Sequence, residues 1–163
     1  MPERLINIGQ RPAIDTIRKE LGTNLIGAEI GVNKGYNASY ICEVIQPKTL
    51  YLIDPYSNFL DLDSGEIIGE AQYILAKQLL QAFTCCKFIK KASLEALKDI
   101  ENESLDFVYV DGNHSYQAVI FDLMNWYSKV KKGGILSGHD FVIDSVKNAV
   151  IEFCMKNNIQ KLF

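Results

Sequence analysis

Leu25-Ile-Gly-Ala-Glu-Ile-Gly-Val-Asn-Lys-Gly-Tyr-Asn37 sets the architecture of this chain. A short apolar run, Ile26, Ala28, Ile30 and Val32, carries one acid, Glu29, and breaks at Gly31 and Gly35. Asn37 then offers a helix N-cap, and Tyr40, Ile41, Val44 and Ile45 recur at helical spacing. The order is buried strand, tight glycine loop, helix N-terminus. Such a helix end presents unpaired N–H groups and a partial positive charge, so an anionic group can sit there. Gly31 permits a turn that other residues resist, and Gly35 lets a ligand approach the main chain. A nucleotide-like or amino-acid-like cofactor is the natural occupant.

Outward from this unit, the pattern alternates. Residues 11–21 read as a helix with Ile14, Ile17 and Leu21 on one face and Gly22 past its end. Residues 49–56 form a second apolar strand that ends at Asp54, and the polar stretch 57–66 reads as a surface loop. The spacing predicts a helix over 67–83, an edge strand over 87–93 and a brief helix over 94–100. A strongly β-prone strand, 105–112, precedes a helix over 116–130 that Lys131-Lys-Gly-Gly134 closes. A fifth strand over 135–141 and a helix over 145–155 follow, and residues 159–163 could open a sixth strand. Strands alternating with helices imply a mostly parallel sheet covered on both faces.

One domain over 1–163 is expected, with 1–22 as an N-terminal helical region. A net charge of −3 and the lack of a Lys/Arg run give no reason to expect a nucleic-acid partner. No stretch is apolar enough to span a membrane and no signal segment is visible, so the cytoplasm is the default. Cys42, Cys85, Cys86 and Cys154 include no C-x-x-C pair, so they are expected to be reduced small hydrophobes without a zinc site.

In an open α/β sheet, ligands bind outside the carboxyl ends of the strands. Those ends carry Glu29 and Gly31, Asp54, Ser93, Asp111 to His114, and His139 with Asp140, including both histidines of the chain. Asp54 follows Gly31 by 23 positions, a placement suited to accepting hydrogen bonds from ribose hydroxyls. Asp111, His139 and Asp140 offer a mixed oxygen and nitrogen set for one divalent ion. His114 is the candidate general base, since imidazole titrates near neutral pH.

The ordered segments Glu29-Ile-Gly31-Val-Asn-Lys-Gly35, Asp54, Ser93, Asp106-Phe-Val-Tyr-Val-Asp-Gly-Asn-His-Ser-Tyr116 and Lys132-Gly-Gly-Ile-Leu-Ser-Gly-His-Asp140 resemble class I S-adenosylmethionine-dependent methyltransferases. The nearest likeness is a bacterial group, including sugar and natural-product O-methyltransferases, with D-G-x-H-S-Y and G-G-x-L-x-G-H-D segments. The resemblance implies a Rossmann-like α/β fold with strand order 3-2-1-4-5-7-6 and S-adenosylmethionine over strands 1 and 2. By that likeness Glu29, Gly31 and Gly35 hold the methionine part, Asp54 the ribose and Ser93 the adenine, with Asn33 and Tyr56 as neighbours. It also places Asp111, His139 and Asp140 at the metal-ligand positions of catechol-type relatives and His114 at the catalytic base. Those relatives use Asp and Asn as second and third magnesium ligands; His139 and Asp140 here would suit manganese, iron or zinc better. No seventh strand is visible, which implies a truncated sequence or completion by a partner chain, and hence a homodimer.

The implied activity is O-methylation of a small hydroxylated molecule, a sugar or secondary metabolite, with or without metal assistance. Two other readings share the motif. A nicotinamide-dependent oxidoreductase also uses an acid after the second strand, but the third glycine of its loop is missing. A methyltransferase-like domain that binds without turnover is the other.

Overall fold

The computed structural model describes residues 11–60 and 65–159. Helix α1 (Pro12–Leu21) starts with proline in its first turn and buries Ile14 and Ile17. Strand β1 (Ile26–Ile30) leads to helix α2 (Tyr36–Ile45) and strand β2 (Thr49–Ile53). A two-residue hairpin, β3 (Phe59–Leu60) and β4 (Ile67–Ile68), precedes helix α3 (Glu70–Leu79). Strand β5 (Cys86–Ile89), helix α4 (Ser93–Ala96), strand β6 (Leu105–Val110), helix α5 (Tyr116–Trp126), strand β7 (Val130–Gly138) and helix α6 (Asp144–Lys156) complete the order.

The five longer strands form one parallel sheet in the order β5-β2-β1-β6-β7. This is the 3-2-1-4-5 part of the expected order. The chain runs outward from β1 to one edge and then returns to build β6 and β7 on the other side. The switch point therefore lies between β1 and β6. Side chains alternate across the sheet with period two. Phe107 and Tyr109 join Ile14, Ile17, Ile41, Ile45 and Leu52 on one face. Val108 and Val110 join Leu123, Trp126, Ala149 and Phe153 on the other. Burial on both faces explains why these strands are almost continuously apolar.

Several expectations shift. Ile67 and Ile68 do not begin a helix; they pair antiparallel with Leu60 and Phe59, within the stretch expected to be loop and helix start. Helix α3 starts only after Gly69, whose N–H donates to Gln72 Oε1 at 3.0 Å. Asn37 is not the cap of α2: Gly35, left-handed at φ 81°, takes that place and Asn37 lies one residue inside the helix. Lys131 to Gly134 bulge out of β7 instead of closing a helix: two steps along β6, Leu105 to Phe107, are matched by five along β7, Val130 to Ile135. The sixth strand expected over 159–163 lies, from residue 160 onward, outside the described residues. Among the described residues no helix is long and apolar enough to cross a membrane.

Candidate active site

A cleft of about 1310 Å³ opens at the carboxyl ends of the strands. Gly31, Asn33, Asp54, Ser93, Asp111 and His114 line it, together with Arg11, Asn37 and Asp122. Six of the residues singled out in the sequence thus share one wall. Glu29, Gly35, Tyr56, His139 and Asp140 stand outside that lining, and each has a traceable task.

Glu29 is fully buried in β1. Its Oε1 accepts a hydrogen bond from Asn37 Nδ2 at 2.9 Å, while Oε2 has no hydrogen-bond partner among the described residues. Burial pushes this carboxyl well above its ordinary value; the Asn37 bond opposes the rise, and the nearby Asp111 charge adds to it. Asn37, not Glu29, faces the cleft. Its Oδ1 accepts in turn from Arg11 Nε at 3.0 Å. Arg11 and Asn37 are therefore two site residues that sequence reasoning missed or misassigned.

The two glycines serve packing of the protein itself. A Cβ on Gly31, at φ 86°, would stand 2.1 Å from the Asp111 carbonyl oxygen. The β6–α5 loop thus passes directly over the glycine loop, and only glycine admits it. At Gly35, φ 81°, the neighbours are Leu80 and Ala76 at 3.1–3.3 Å, so this residue seats α2 against α3 instead of meeting a ligand.

Asp54 is buried and holds the loop. Its Oδ2 accepts from the N–H groups of Val32 and Asn33, each at 3.0 Å, and Oδ1 from that of Tyr56 at 3.0 Å. The carboxylate still lines the cleft, and each oxygen can accept more than one hydrogen bond. Tyr56 is buried, and its hydroxyl donates to the Asn33 carbonyl at 2.9 Å. Burial, with the Asp54 charge beside it, raises that phenol and keeps it neutral. Ser93 Oγ donates to Asp122 Oδ1 at 2.5 Å and accepts from Trp126 Nε1 at 2.8 Å. Ser93 is thus committed to holding Asp122, a cleft carboxylate that burial raises above its ordinary value. Within the apolar pattern of α5, Asp122 and Trp126 carried no separate signal.

At the β6–β7 side four donors converge. His114 Nε2 lies 3.0 Å from Asp140 Oδ2 and 3.6 Å from Asp111 Oδ1. His139 Nδ1 lies 2.9 Å from Asp140 Oδ2 and 3.9 Å from Asp111 Oδ1. The parallel pairing of β6 and β7 sets this meeting, since Asp111 and His139 each continue a strand; the His139 N–H donates to Val110 O at 3.1 Å.

Could a divalent ion sit here? Asp111, His139 and Asp140 each bring one ligand atom within 4.8 Å of the others. Adjacent ligands about 2.1 Å from a small divalent ion are separated by roughly 3 Å, which the His139–Asp140 pair matches. However, His139 Nε2 is 3.0 Å from Arg11 Nη1. A guanidinium only donates, so Nε2 accepts and the proton of the neutral ring sits on Nδ1, aimed at Asp140. An ion on Nδ1 would need that proton moved to Nε2, facing Arg11. The donors therefore fit a divalent ion only with Arg11 withdrawn from His139.

The strand order β5-β2-β1-β6-β7 with helices on both faces is the Rossmann-like α/β fold of class I methyltransferases. The family model for the Methyltransferase domain matches residues 28–141, and the chain belongs to that family. The chain resembles the O-methyltransferase NovP with a TM-score of 0.69 at 17% identity, covering 93% of this chain and 73% of that one. SMU.1697c from Streptococcus mutans, assigned as a methyltransferase and solved in complex with SAH, gives a TM-score of 0.69 at 14% identity, over 94% of this chain and 86% of that one. Among curated proteins, the uncharacterized protein y4gI of Sinorhizobium fredii is 27% identical over 116 residues. That match covers 69% of this chain and 12% of the relative, so the chain spans about an eighth of its length.

Proposed function

We propose that the chain is an S-adenosylmethionine-dependent O-methyltransferase for a small hydroxylated molecule, a sugar or secondary metabolite. The observation that carries this reading is the meeting of Asp111 and His114, which line the cleft beside the glycine loop, with His139 and Asp140 just behind them. The cleft exceeds the volume of most small-molecule sites, which leaves room for an acceptor beside the cofactor.

The residues present fit the cofactor. Asn37 and the helix N-terminus of α2 would receive the methionine end, Asp54 the ribose and Asp122, held by Ser93, the adenine. The buried Glu29 carboxyl, which burial holds toward its neutral form, would fix the Asn37 amide at the methionine end through Oε1. When bound, S-adenosylmethionine supplies an electrophilic methyl group on a sulfonium. The chain's own contribution is alignment and proton removal. With Nε2 held by Asp140 and Asp111, 3.0 and 3.6 Å away, the other ring nitrogen of His114, Nδ1, would take the acceptor's hydroxyl proton, and the two carboxylates would stabilise the resulting imidazolium. Where a divalent ion is used, Asp111, His139 and Asp140 would hold it, and it would acidify the acceptor hydroxyl.

The test pairs calorimetry with turnover. The chain should bind S-adenosylhomocysteine, and a panel of sugars and phenols should include an acceptor that drives its release from S-adenosylmethionine. His114→Ala should then lower turnover by roughly 10²-fold or more, with cofactor affinity unchanged. Wild-type turnover in that variant would show that the histidine is structural, and failure to bind the cofactor would end the reading.

A further inference from the structure

Three of the four cysteines meet outside the cleft. Cys42 lies in α2, Cys86 opens β5 and Cys85 directly precedes it. Cys42 Sγ is 3.5 Å from Cys86 Sγ and 3.8 Å from Cys85 Sγ. All three sulfurs lie within 4.8 Å of one another, and all are free thiols. Successive residues of a strand point to opposite faces, so two adjacent thiols reaching one helix need a local cause. Cys85 still belongs to the turn after α3, where the Cys86 N–H donates to Phe83 O at 3.1 Å, and only Cys86 has entered the strand. The turn swings the Cys85 sulfur to the same side as its neighbour. Nothing in the spacing of 43 and 44 residues announces this meeting.

We propose that Cys42, Cys85 and Cys86 form a three-sulfur site for a soft, thiophilic cation, Cu(I). An ion about 2.3 Å from each of three sulfurs in a plane sets them roughly 4.0 Å apart, and a pyramidal arrangement brings them slightly closer. The Sγ–Sγ distances of 3.5 and 3.8 Å fall only about 0.5 and 0.2 Å short of that spacing before any ion is added. No histidine or carboxylate joins the group among the described residues. Structural zinc closes a tetrahedron with four ligands, whereas Cu(I) is content with few and prefers thiolate sulfur. Cys42 is buried, while Cys85 and Cys86 are half-exposed, so an ion reaches the site from the β5 side. None of the three lines the cleft, and the site stands whether or not the methyl-transfer reading does.

The reduced chain is titrated anaerobically with Cu(I) against a chromophoric Cu(I) chelator. One ion per chain should be retained, with thiolate-to-copper absorption in the ultraviolet. On iodoacetamide labelling mapped by peptide mass spectrometry, Cys85 and Cys86 should be protected by Cu(I), and Cys154 labelling should be unchanged. Cys86→Ser should lower Cu(I) affinity by at least about tenfold, and Cys154→Ser should not change it. Copper that leaves Cys85 and Cys86 open to alkylation, or that Cys86→Ser retains equally, would overturn the assignment. So would uptake of one zinc ion where Cu(I) is surrendered to the chelator. The labelling arm needs no variant, so a poorly folding substitution leaves the answer intact.

Discussion

Replacing Gly31 with alanine tests whether the glycine loop is shaped by the protein's own backbone. Two costs add. An L-residue held in the left-handed region loses about 1–2 kcal/mol, and Gly31 has φ 86°. The new methyl would also stand 2.1 Å from the Asp111 carbonyl oxygen and 2.6 Å from Gly112 Cα, both backbone, so the β6–α5 loop must move. Overpacking of that kind costs roughly 1–3 kcal/mol. The sum, about 2–5 kcal/mol, lowers the melting temperature of a domain this size by roughly 4–20 °C. Gly133→Ala is the matched control, because φ is 85° there but nothing lies within 4 Å of the added Cβ. It carries the strain alone and should fall by about 2–8 °C. Calorimetric melts of both variants separate strain from collision, and the Gly31 variant should in addition lose affinity for S-adenosylhomocysteine as Asp111 shifts. Melting temperatures within about 2 °C of each other would refute the close approach of the two loops.

Four further outcomes follow from the geometry. Asp54→Ala strips the acceptor from the N–H groups of Val32, Asn33 and Tyr56. Calorimetry should show S-adenosylhomocysteine affinity reduced at least about tenfold, and an unchanged value would remove the ribose role. Glu29 is raised well above 4.5 by burial, so the native chain holds a proton that the unfolded chain has already released. Stability is then full below the ordinary carboxylate value and declines as pH rises through the elevated one. Glu29→Gln keeps an acceptor for Asn37, so urea midpoints between about pH 5 and pH 8 should be flatter and higher at the neutral end. Arg11→Met frees His139 Nε2 and should tighten Mn²⁺ binding by calorimetry; identical affinity would contradict the competition between Arg11 and an ion. Ser93→Ala removes the bond that fixes Asp122 and accepts from buried Trp126; an unshifted urea midpoint would show that this pair stabilises nothing.

The sheet was legible because β1, β2 and β6 are short apolar runs, two of them closed by Asp54 and Asp111, as strands buried on both faces of a parallel sheet must be. Asp54, Asp111 and His114 were legible for the same reason: polar residues at strand ends collect along one edge. The hairpin was not, because Ile67 and Ile68 suit a strand pair as well as a helix, and Gly69 decides only in three dimensions. Asn37 read as a cap because the left-handed Gly35 that displaces it leaves no mark on the hydrophobic pattern. Arg11 lies 128 residues from His139, and no local rule links a helix start to a strand end so far away.

The line His139–Arg11–Asn37–Glu29 runs past the cleft with three contacts of 2.9–3.0 Å. An ion that unseats Arg11 at one end would also loosen the Asn37 amide that holds Glu29 at the other. If Asp111, His139 and Asp140 hold an ion and Asn37 the cofactor, as proposed, the two occupancies are thermodynamically linked, and linkage is mutual: whatever metal does to cofactor affinity, cofactor does to metal affinity by the same factor.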